Sequence, residues 1–378
     1  MQVAINLLTD DPANPSGAHW FWTRIIPEMA KRLTDGERFH LLVSPRMREQ
    51  HDGYGHNVEH ITFPWSNERP PLRTASEHLY APLRLPLSGI DVFSTLMAPI
   101  VRPAPGLVVH FKTLHAYTAP GSVRPSARLY RRLNYPRTAR TADAIIINSE
   151  SLRQEVLAHL DVAPAKLRLI PEAVDHELFR PGDTDEAWQR VRGQGVTGPF
   201  VLFVSSLWPY KNCAGLLRAF AAARRELGGR QLVVVGPGRD GEHAAELRAL
   251  ADSLGIARDV VWVGGVPLED TVHFYRTADV FVYPSFNETF GLPILEAMAT
   301  GCPVVTSTVS AMPETAGGAA LLADPSDPDA LAQAILDACG PSGDGLREKG
   351  LLRAREFSWA RTAERTLDVY REVYRRVG

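Results

Sequence analysis

The chain has 378 residues, which predicts about two domains at roughly 150 residues per domain. Its 41 Lys and Arg residues nearly balance its 43 Asp and Glu residues, and this formal net charge of -2 gives no overall basicity with which to bind nucleic acid. Three cysteines far apart in the sequence, Cys213, Cys302 and Cys339, exclude a disulfide framework and a local Cys-x-x-Cys motif.

The first stretch, "MQVAINLLTDD", is predicted to form the first strand. It has no basic n-region, and its apolar run is too short for a signal peptide. No uninterrupted apolar run of about 18 residues, the length of a membrane-spanning helix, occurs in the chain. Together with the few cysteines, these features predict a cytoplasmic protein in a reducing compartment.

Short β-branched runs recur along the chain and are typical of buried parallel strands. They read "VAINLL", "FHLLVS", "LVVHF", "AIIINS", "PFVLFVSS", "QLVVVG", "DVVWVGG", "DVFVYPS" and "PVVTS". Helical stretches separate most of them, which predicts an α/β fold with right-handed crossovers. A segment rich in Pro, Gly and charge interrupts the alternation between Pro171 and Pro199, and we interpret it as a linker. The sequence therefore predicts two doubly wound Rossmann-like domains, residues 1–175 and 176–378.

Two further segments have helical spacing. From Ser126 to Asp143, arginines alternate with apolar residues; this favours a solvated helix face, and an anionic acceptor or a peripheral membrane contact stays open. In "FSWARTAERTLDVYREVYRRVG", Trp359, Leu367 and Tyr370 are spaced for one face of a helix. That helix either caps the second domain or crosses back to the first.

Ligands of open α/β sheets bind at the carboxyl ends of the strands, beside helix N-termini that attract phosphate. Gly17, in the loop after the first strand, would let a ligand approach the backbone closely, with a plain turn as the equal alternative. Lys211 follows the first strand of the second domain, and Asn212 is predicted to cap the next helix. A cation at a helix start opposes the helix dipole unless an anion binds there, which favours a phosphate.

The stretch "SFNETFGLPILEAMATGCPVV" places two carboxylates around the start of a helix that is predicted to begin near Pro293 and to end at Gly301. The free amides at this start would form an anion site; they belong to Thr289, Phe290, Gly291 and Leu292. Because a carboxylate would repel a phosphate, we expect Glu288 and Glu296 to bind uncharged hydroxyls such as those of a sugar. The alternative is a helix-cap acid and a solvated helix acid.

The stretch "NETFGLPILEAMATGCPVVTS" resembles the E-x7-E signature of retaining glycosyltransferases of family 4, which share the two-domain GT-B fold with a central cleft. "VSSLWPYKN" looks like the donor-phosphate loop of that family, "NSESLRQEV" like the end of its first domain, and "IPEAVDHELFRP" like its linker. The resemblance covers the second domain well and the first domain loosely. It implies a metal-independent, retaining enzyme that moves a sugar from a nucleoside-diphosphate donor to an acceptor hydroxyl held by the first domain, without a further cofactor.

The resemblance also implies roles for single residues. Lys211 would bind the donor diphosphate, Glu288 the donor sugar and Glu296 the ribose hydroxyls, while the amides of residues 289–292 would bind the phosphates. The loop "WVGGVP", which contains Val263, could hold the base through backbone contacts.

The chain departs from the family pattern at three places, one of which is "PEAVD" in the linker, where relatives carry "P-N-G-V-D". Ser206 stands where many relatives carry a phosphate-binding arginine. Relatives also tend to place a histidine near the reacting carbon, after the strand that corresponds to "LVVHF". We expect Lys112 or His115 to take that place, and His110 lies close by in the sequence.

Other functions stay open. A GT-B-type isomerase that acts on the nucleotide sugar is one alternative, and a non-catalytic nucleotide-sugar binding subunit is another. "VVVGPGRDG" matches the dinucleotide-binding G-x-G-x-x-G motif incompletely, which argues against a dehydrogenase. The "DTD" at Asp183 to Asp185 has the form of a metal-binding motif, but in the predicted linker it is interpreted as a solvated acidic turn.

Overall fold

The computed structural model of the protein describes residues 1–10, 17–66, 69–238 and 241–378. They divide into two compact units: unit 1 comprises Met1–Glu172 and Trp359–Gly378, and unit 2 comprises Ala173–Ser358. The sequence places the boundary after residue 175 and leaves the position of the last helix open. That helix is grouped with unit 1.

Unit 1 is built on a parallel sheet of seven strands in the order β3-β2-β1-β4-β5-β6-β7. Its strands are β1 (Gln2–Asn6), β2 (Arg38–Val43), β3 (Val58–Thr62), β4 (Val92–Thr95), β5 (Gly106–His110), β6 (Ala144–Ile147) and β7 (Leu167–Leu169). Its α-helices are Gly17–Ala30, Pro70–Ala75, Ala81–Arg84, His115–Thr118, Pro125–Thr141, Glu150–His159 and Trp359–Val377, and a π-helical turn spans Ser76–Tyr80. The strand order reverses beside β1, so the switch point lies between β1 and β4.

The helix Trp359–Val377 completes the core of unit 1. Leu367, Tyr370 and Val373 are fully buried among apolar side chains of β1, β2, β4 and the helix Gly17–Ala30. The predicted apolar face of this helix therefore packs on unit 1.

Unit 2 is built on a parallel sheet of six strands in the order β10-β9-β8-β11-β12-β13. Its strands are β8 (Phe200–Val204), β9 (Gln231–Val235), β10 (Val260–Gly264), β11 (Val280–Tyr283), β12 (Val304–Ser307) and β13 (Leu321–Ala323). Its α-helices are Thr184–Arg192, Cys213–Ala223, Gly241–Ser253, Leu268–Thr277, Leu292–Thr300, Met312–Ala316, Pro328–Cys339 and Ser342–Ala354. The switch point lies between β8 and β11, and the loops after these two strands carry the predicted chemistry.

The segment between Pro171 and Pro199 is not a linker along its whole length. It contains the helix Thr184–Arg192, whose Ala187 and Val191 are fully buried. Asp183 caps this helix by accepting hydrogen bonds from the amides of the second and third following residues. The "DTD" motif is therefore a helix start on the surface of unit 2.

No helix in the described ranges combines the length and the apolar character needed to cross a membrane.

Candidate functional site

Lys211 and Glu288 meet at the switch point of unit 2. Lys211 ends a short 3-10 turn, Pro209–Lys211, after β8, and Glu288 lies in the loop after β11. The Lys211 ammonium forms an ion pair with Glu288 Oε1 and donates to the Tyr283 hydroxyl over 2.7 Å. The Tyr283 and Ser285 hydroxyls donate to the same carboxylate oxygen over 2.9 and 2.8 Å.

Both charges keep a small exposed fraction, 12% for the lysine side chain and 13% for the glutamate side chain. An ammonium has three N–H donors, and the contacts within the described residues use two of them. All donors from the described residues reach Glu288 Oε1, so Oε2 is left for a ligand. Each member of the pair therefore retains binding capacity.

Tyr283 is a buried residue of this network. Its side chain is buried at the end of β11, and burial, followed by the neighbouring Glu288 charge, raises the pKa of its phenol well above the ordinary value. The phenol therefore stays protonated, accepts from Lys211 and donates to Glu288. Sequence reasoning did not identify Tyr283 or Ser285, although both occur in the quoted run "DVFVYPS", directly before the motif.

The position of Lys211 depends on the next residue. Asn212 adopts a left-handed conformation with φ of 59°, and its side-chain Oδ1 accepts from the Gly215 amide over 3.1 Å. This confirms the predicted cap of the helix Cys213–Ala223. The Asn212 amide group also donates to the Pro325 carbonyl over 2.7 Å, which ties the Lys211 turn to the loop after β13.

Three neighbouring loops meet beside the Lys211 turn. Gly236, after β9, lies against the backbone of Ser205 and Ser206, and a Cβ at residue 236 would overlap the Ser205 carbonyl. The Gly236 amide donates to the Gly264 carbonyl, at the end of β10, over 2.7 Å. The structure thus brings Ser206 and the Val263 loop together through Gly236, a glycine of the "VVVGPGRDG" stretch.

The helix Leu292–Thr300 begins as predicted. Gly291 is its cap residue, with φ of 90°, a conformation that L side chains rarely adopt. In the described part of the chain, the free backbone N–H groups at this start meet no acceptor; they belong to Thr289, Phe290, Gly291 and Leu292. The Phe290 side chain is buried against Phe357, so only its backbone is available to a ligand. The result is a group of unsatisfied donors next to Glu288.

Ser310 fixes the backbone of Glu288. Its hydroxyl accepts from the Glu288 amide over 3.1 Å and donates to the Glu288 carbonyl over 2.6 Å. Ser310 has φ of 59°, one of two positive values at non-glycine residues in the described ranges. Neither the positive φ of Ser310 nor its contacts with Glu288 were predicted from the sequence.

Glu296 is buried inside the helix Leu292–Thr300, and its carboxylate accepts from the Tyr275 hydroxyl over 3.1 Å. Burial raises the pKa of Glu296 to about 7, and the hydrogen bond from Tyr275 offsets this only in part. The alternative of a solvated helix acid is therefore wrong. A carboxyl that titrates near neutrality is a strong acceptor for hydroxyl donors when it is ionised.

The predicted residues of unit 1 fall into separate environments. Lys112 forms an ion pair with Glu172 at 2.9 Å and lies over the Phe21 ring, 3.1 Å from its centroid. Burial lowers the pKa of Lys112, and Glu172 opposes that shift. The carboxylate of Glu172 also accepts from Asn148 over 3.3 Å, and sequence reasoning gave neither residue a role.

His110 is a core residue. It is 1% exposed, and its Nε2 lies 3.1 Å from the Ser94 hydroxyl and 3.2 Å from the Tyr370 hydroxyl. Burial and the nearby Lys112 charge lower its pKa well below the ordinary value, so the ring is neutral. This environment favours a structural role.

His115 and Gly17 both stand at helix starts. His115 begins the short helix His115–Thr118, and its amide donates to the Thr113 hydroxyl over 3.0 Å. Gly17 begins the helix Gly17–Ala30, and a Cβ there would meet no atom within 4 Å. The loop before Gly17, residues 11–16, lies outside the described residues, so the predicted ligand approach at Gly17 stays a prediction.

In the part of the chain that the structure describes, no three His, Cys, Asp or Glu side chains group closely enough to hold a metal ion.

The two halves of the chain match two family models. Residues 16–178 match Glycosyltransferase Family 4, and residues 184–340 match Glycosyl transferases group 1. A D-inositol 3-phosphate glycosyltransferase of Acidothermus cellulolyticus is 34% identical over 275 residues, which cover 69% of this chain and 60% of the relative. O-antigen chain mannosyltransferase B of Escherichia coli is 38% identical over 176 residues, which cover 46% of this chain and 45% of the relative. The match thus spans less than two thirds of each of these relatives.

Solved structures share the fold over almost the whole chain. Sucrose-phosphate synthase of Thermosynechococcus elongatus superposes with a TM-score of 0.76 at 20% identity, covering 99% of both chains. Anabaena Alr3699/HepE, in complex with UDP and glucose, superposes with a TM-score of 0.72 at 19% identity, covering 98% of this chain and 100% of the other. The predicted GT-B fold class is confirmed. With the E-x7-E stretch in place beside Lys211 and both halves matched, the chain belongs to the glycosyltransferases of family 4.

Proposed function

We propose that the protein is a retaining glycosyltransferase that moves a sugar from a nucleoside-diphosphate donor to an acceptor hydroxyl. The observation that carries the proposal is the group formed by Lys211, Glu288 and the unsatisfied amides at the start of the helix Leu292–Thr300. A cation and a helix N-terminus together suit a diphosphate, and a carboxylate beside them suits a sugar hydroxyl. The names of the relatives agree with this reaction class, and HepE is a neighbour of the same fold that was solved with UDP and glucose.

In the proposed reaction, the bond between the sugar anomeric carbon and the diphosphate oxygen breaks, and the acceptor oxygen forms a bond to the same carbon. The acceptor hydroxyl loses its proton to the departing phosphate on the same face of the sugar, which retains the anomeric configuration. The third N–H of Lys211 and the amides of residues 289–292 would stabilise the charge that develops on the leaving diphosphate. These donors act without a metal ion in our proposal.

Glu288 and Glu296 would position the donor. The free Oε2 of Glu288 would accept from a hydroxyl of the transferred sugar, and its ion pair with Lys211 links sugar binding to phosphate binding. Glu296 would accept from the ribose hydroxyls in its ionised form. Lys112, paired with Glu172, and His115 remain the candidates of unit 1 for contact with the reacting groups.

The test begins with the donor. Thermal-shift measurements with UDP-, GDP-, dTDP- and ADP-sugars identify the nucleotide, because a ligand that binds only the folded state raises Tm by mass action. Turnover is then followed as nucleoside diphosphate release with an acceptor panel that includes D-inositol 3-phosphate, the acceptor in the name of one relative. Lys211→Met should lower kcat by about 100-fold, the scale of one lost electrostatic contact in the transition state.

Lys349→Met, at an exposed lysine of unit 2, is the matched control and should retain normal turnover. The anomeric configuration of the product, read by NMR, tests retention, and assays with EDTA test metal independence. Interconversion of nucleotide sugars without glycoside formation would favour the isomerase. Tight donor binding with no product for any acceptor would favour the binding subunit.

A further inference from the structure

Unit 1 exposes a group of aliphatic side chains on three segments. Leu79 and Leu83 are 67% and 72% exposed, and they lie in or directly after the π-helical turn Ser76–Tyr80. Ile100 and Val101, after β4, are 68% and 57% exposed. Leu129 and Leu133 are 62% and 68% exposed, and they lie one turn apart on the helix Pro125–Thr141. Single exposed leucines need no explanation, but six large aliphatic side chains on adjoining segments do.

His78 joins the three segments. Its Nδ1 accepts from the Ile100 amide over 2.9 Å, so in the neutral ring the proton lies on Nε2, which donates to the Tyr130 hydroxyl over 2.7 Å. Arg137, on the same helix as Tyr130, donates to the carbonyls of Ala98 and Pro99. Since His78 is buried, these contacts bring the three segments that carry the exposed side chains next to one another.

The same segments carry a strong positive charge. Residues 69–88, 97–102 and 124–141 contain ten arginines and a single acidic residue, Glu77. Arg73 is paired with the buried Glu77 at 3.2 Å and Arg102 with Asp143, so eight of the ten arginines have no acidic partner among the described residues. Arg84, Arg132 and Arg140 are exposed, and no acidic side chain among the described residues forms an ion pair with them; Arg132 and Arg140 lie on the same side of the helix Pro125–Thr141 as Leu129 and Leu133. The whole chain has a net charge of -2, so this local excess is a property of this surface and not of the composition.

We propose that this surface, the leucine–arginine face, binds a lipid bilayer that contains anionic lipids. It comprises Leu79, Leu83, Ile100, Val101, Leu129 and Leu133 with the exposed arginines Arg84, Arg132 and Arg140 of the same segments. Aliphatic side chains flanked by arginines are the combination that inserts shallowly into a headgroup region while the guanidinium groups contact lipid phosphates. A peripheral membrane contact of residues 126–143 was one of the alternatives from the sequence. The proposal adds two further segments, which the fold brings beside those residues.

Charge decides against two other occupants. A second copy of the chain on this face would bring the unpaired arginines of one copy against those of the other, which repels a symmetric dimer. A nucleic acid would pair with the arginines but would leave the six aliphatic side chains without an apolar partner. Proteins that bind single-stranded nucleic acids stack the bases on aromatic side chains, and these six are aliphatic. The bilayer is the occupant that satisfies both groups.

The experiment measures sedimentation of the full chain with vesicles, without nucleotide sugar or acceptor. Vesicles of phosphatidylcholine with phosphatidylglycerol should bind the protein, and vesicles of phosphatidylcholine alone should bind it much more weakly. The variant Leu79→Ser, Leu83→Ser, Leu129→Ser should lower the partition coefficient by about tenfold or more. Leu352→Ser, at a 63% exposed leucine of unit 2, is the matched control and should bind as the unaltered protein does.

A second variant separates charge from apolar contact. Arg84→Gln, Arg132→Gln, Arg140→Gln, at exposed arginines, should weaken binding to the anionic vesicles and reduce its dependence on salt. Circular dichroism and Tm show that each variant is folded, which is expected because the altered leucines lie outside the core. No sedimentation with anionic vesicles, equal binding to both vesicle types, or an unchanged leucine variant would overturn the proposal. A dimer in solution that the leucine variant dissociates would also overturn it. Because the assay contains no donor, its outcome is independent of the proposed glycosyl transfer.

Discussion

The buried carboxyl of Glu296 should make the stability of unit 2 fall as pH rises. Its pKa is about 7 in the folded protein, against an ordinary value of 4.5. The folded state therefore binds more protons than the unfolded state between these two values, and the free energy of unfolding decreases with rising pH across that window. The full difference corresponds to about 3 kcal/mol, of which about 2 to 3 kcal/mol falls between about pH 5 and pH 8.

Glu296→Gln isolates this contribution. Glutamine has the shape of the protonated acid, does not titrate and keeps an oxygen that accepts from the Tyr275 hydroxyl. The variant and the unaltered protein should have similar stability near pH 5, and the variant should gain an advantage as pH rises. For a unit of this size the advantage at pH 8 corresponds to a Tm difference of about 5 to 10 °C.

Differential scanning calorimetry of the full chain from pH 5 to 8 measures this difference. Glu348→Gln, at an exposed glutamate of the helix Ser342–Ala354, is the matched control and should show a constant Tm difference. Parallel curves for Glu296→Gln and the unaltered protein would refute the reasoning, because they would mean that the carboxyl is ionised in the folded protein at no cost.

Two further predictions concern packing and an ion pair. Gly236→Ala should lower the Tm of unit 2 and weaken nucleotide binding, because a Cβ would overlap the Ser205 carbonyl. Gly198 has open space around it, so the control Gly198→Ala should change neither the thermal unfolding nor the titration with nucleotide. Arg371→Met should destabilise unit 1 by about 1 kcal/mol at pH 7. The Arg371 hydrogen bond lowers the pKa of Glu37 to about 2, so the destabilisation by Arg371→Met should fade as pH falls from about 4.5 toward 2. Urea unfolding of both proteins across this pH range measures the difference, and a difference that stays constant would contradict the prediction.

The sequence predicts strands well where both faces of the strand are buried. Runs such as "QLVVVG" are continuously apolar, and each of the nine quoted runs corresponds to a strand. Four strands were missed: β3 reads "VEHIT" with exposed Glu59 and Thr62, β7 and β13 have three residues each, and β4 is buried throughout but reads "VFST", with two polar residues in four. Their hydrogen bonds to a neighbouring strand define them, and composition does not.

The site was predictable where its residues are contiguous. The helix start at Gly291 follows from glycine and proline at fixed places in one stretch. The support of Lys211 by Tyr283 and of Glu288 by Ser310 joins residues 72 and 22 positions apart, through contacts that only the strand order creates. The linker prediction holds for only part of its segment: the boundary between the units lies inside it, but its Pro- and charge-rich ends conceal a helix whose buried residues are Ala187 and Val191.

The return of the helix Trp359–Val377 to unit 1 has a consequence for biosynthesis. Unit 2 has its complete sequence once Ser358 has been translated, whereas unit 1 lacks the residues that cover Val3 and Trp22 until the end of that helix has been made. The buried hydroxyl of Tyr370, which lies 2.7 Å from that of Ser94, belongs to this late segment. Although it is translated first, unit 1 therefore closes its core last, and during elongation its nascent sheet exposes an apolar surface that chaperones would recognise.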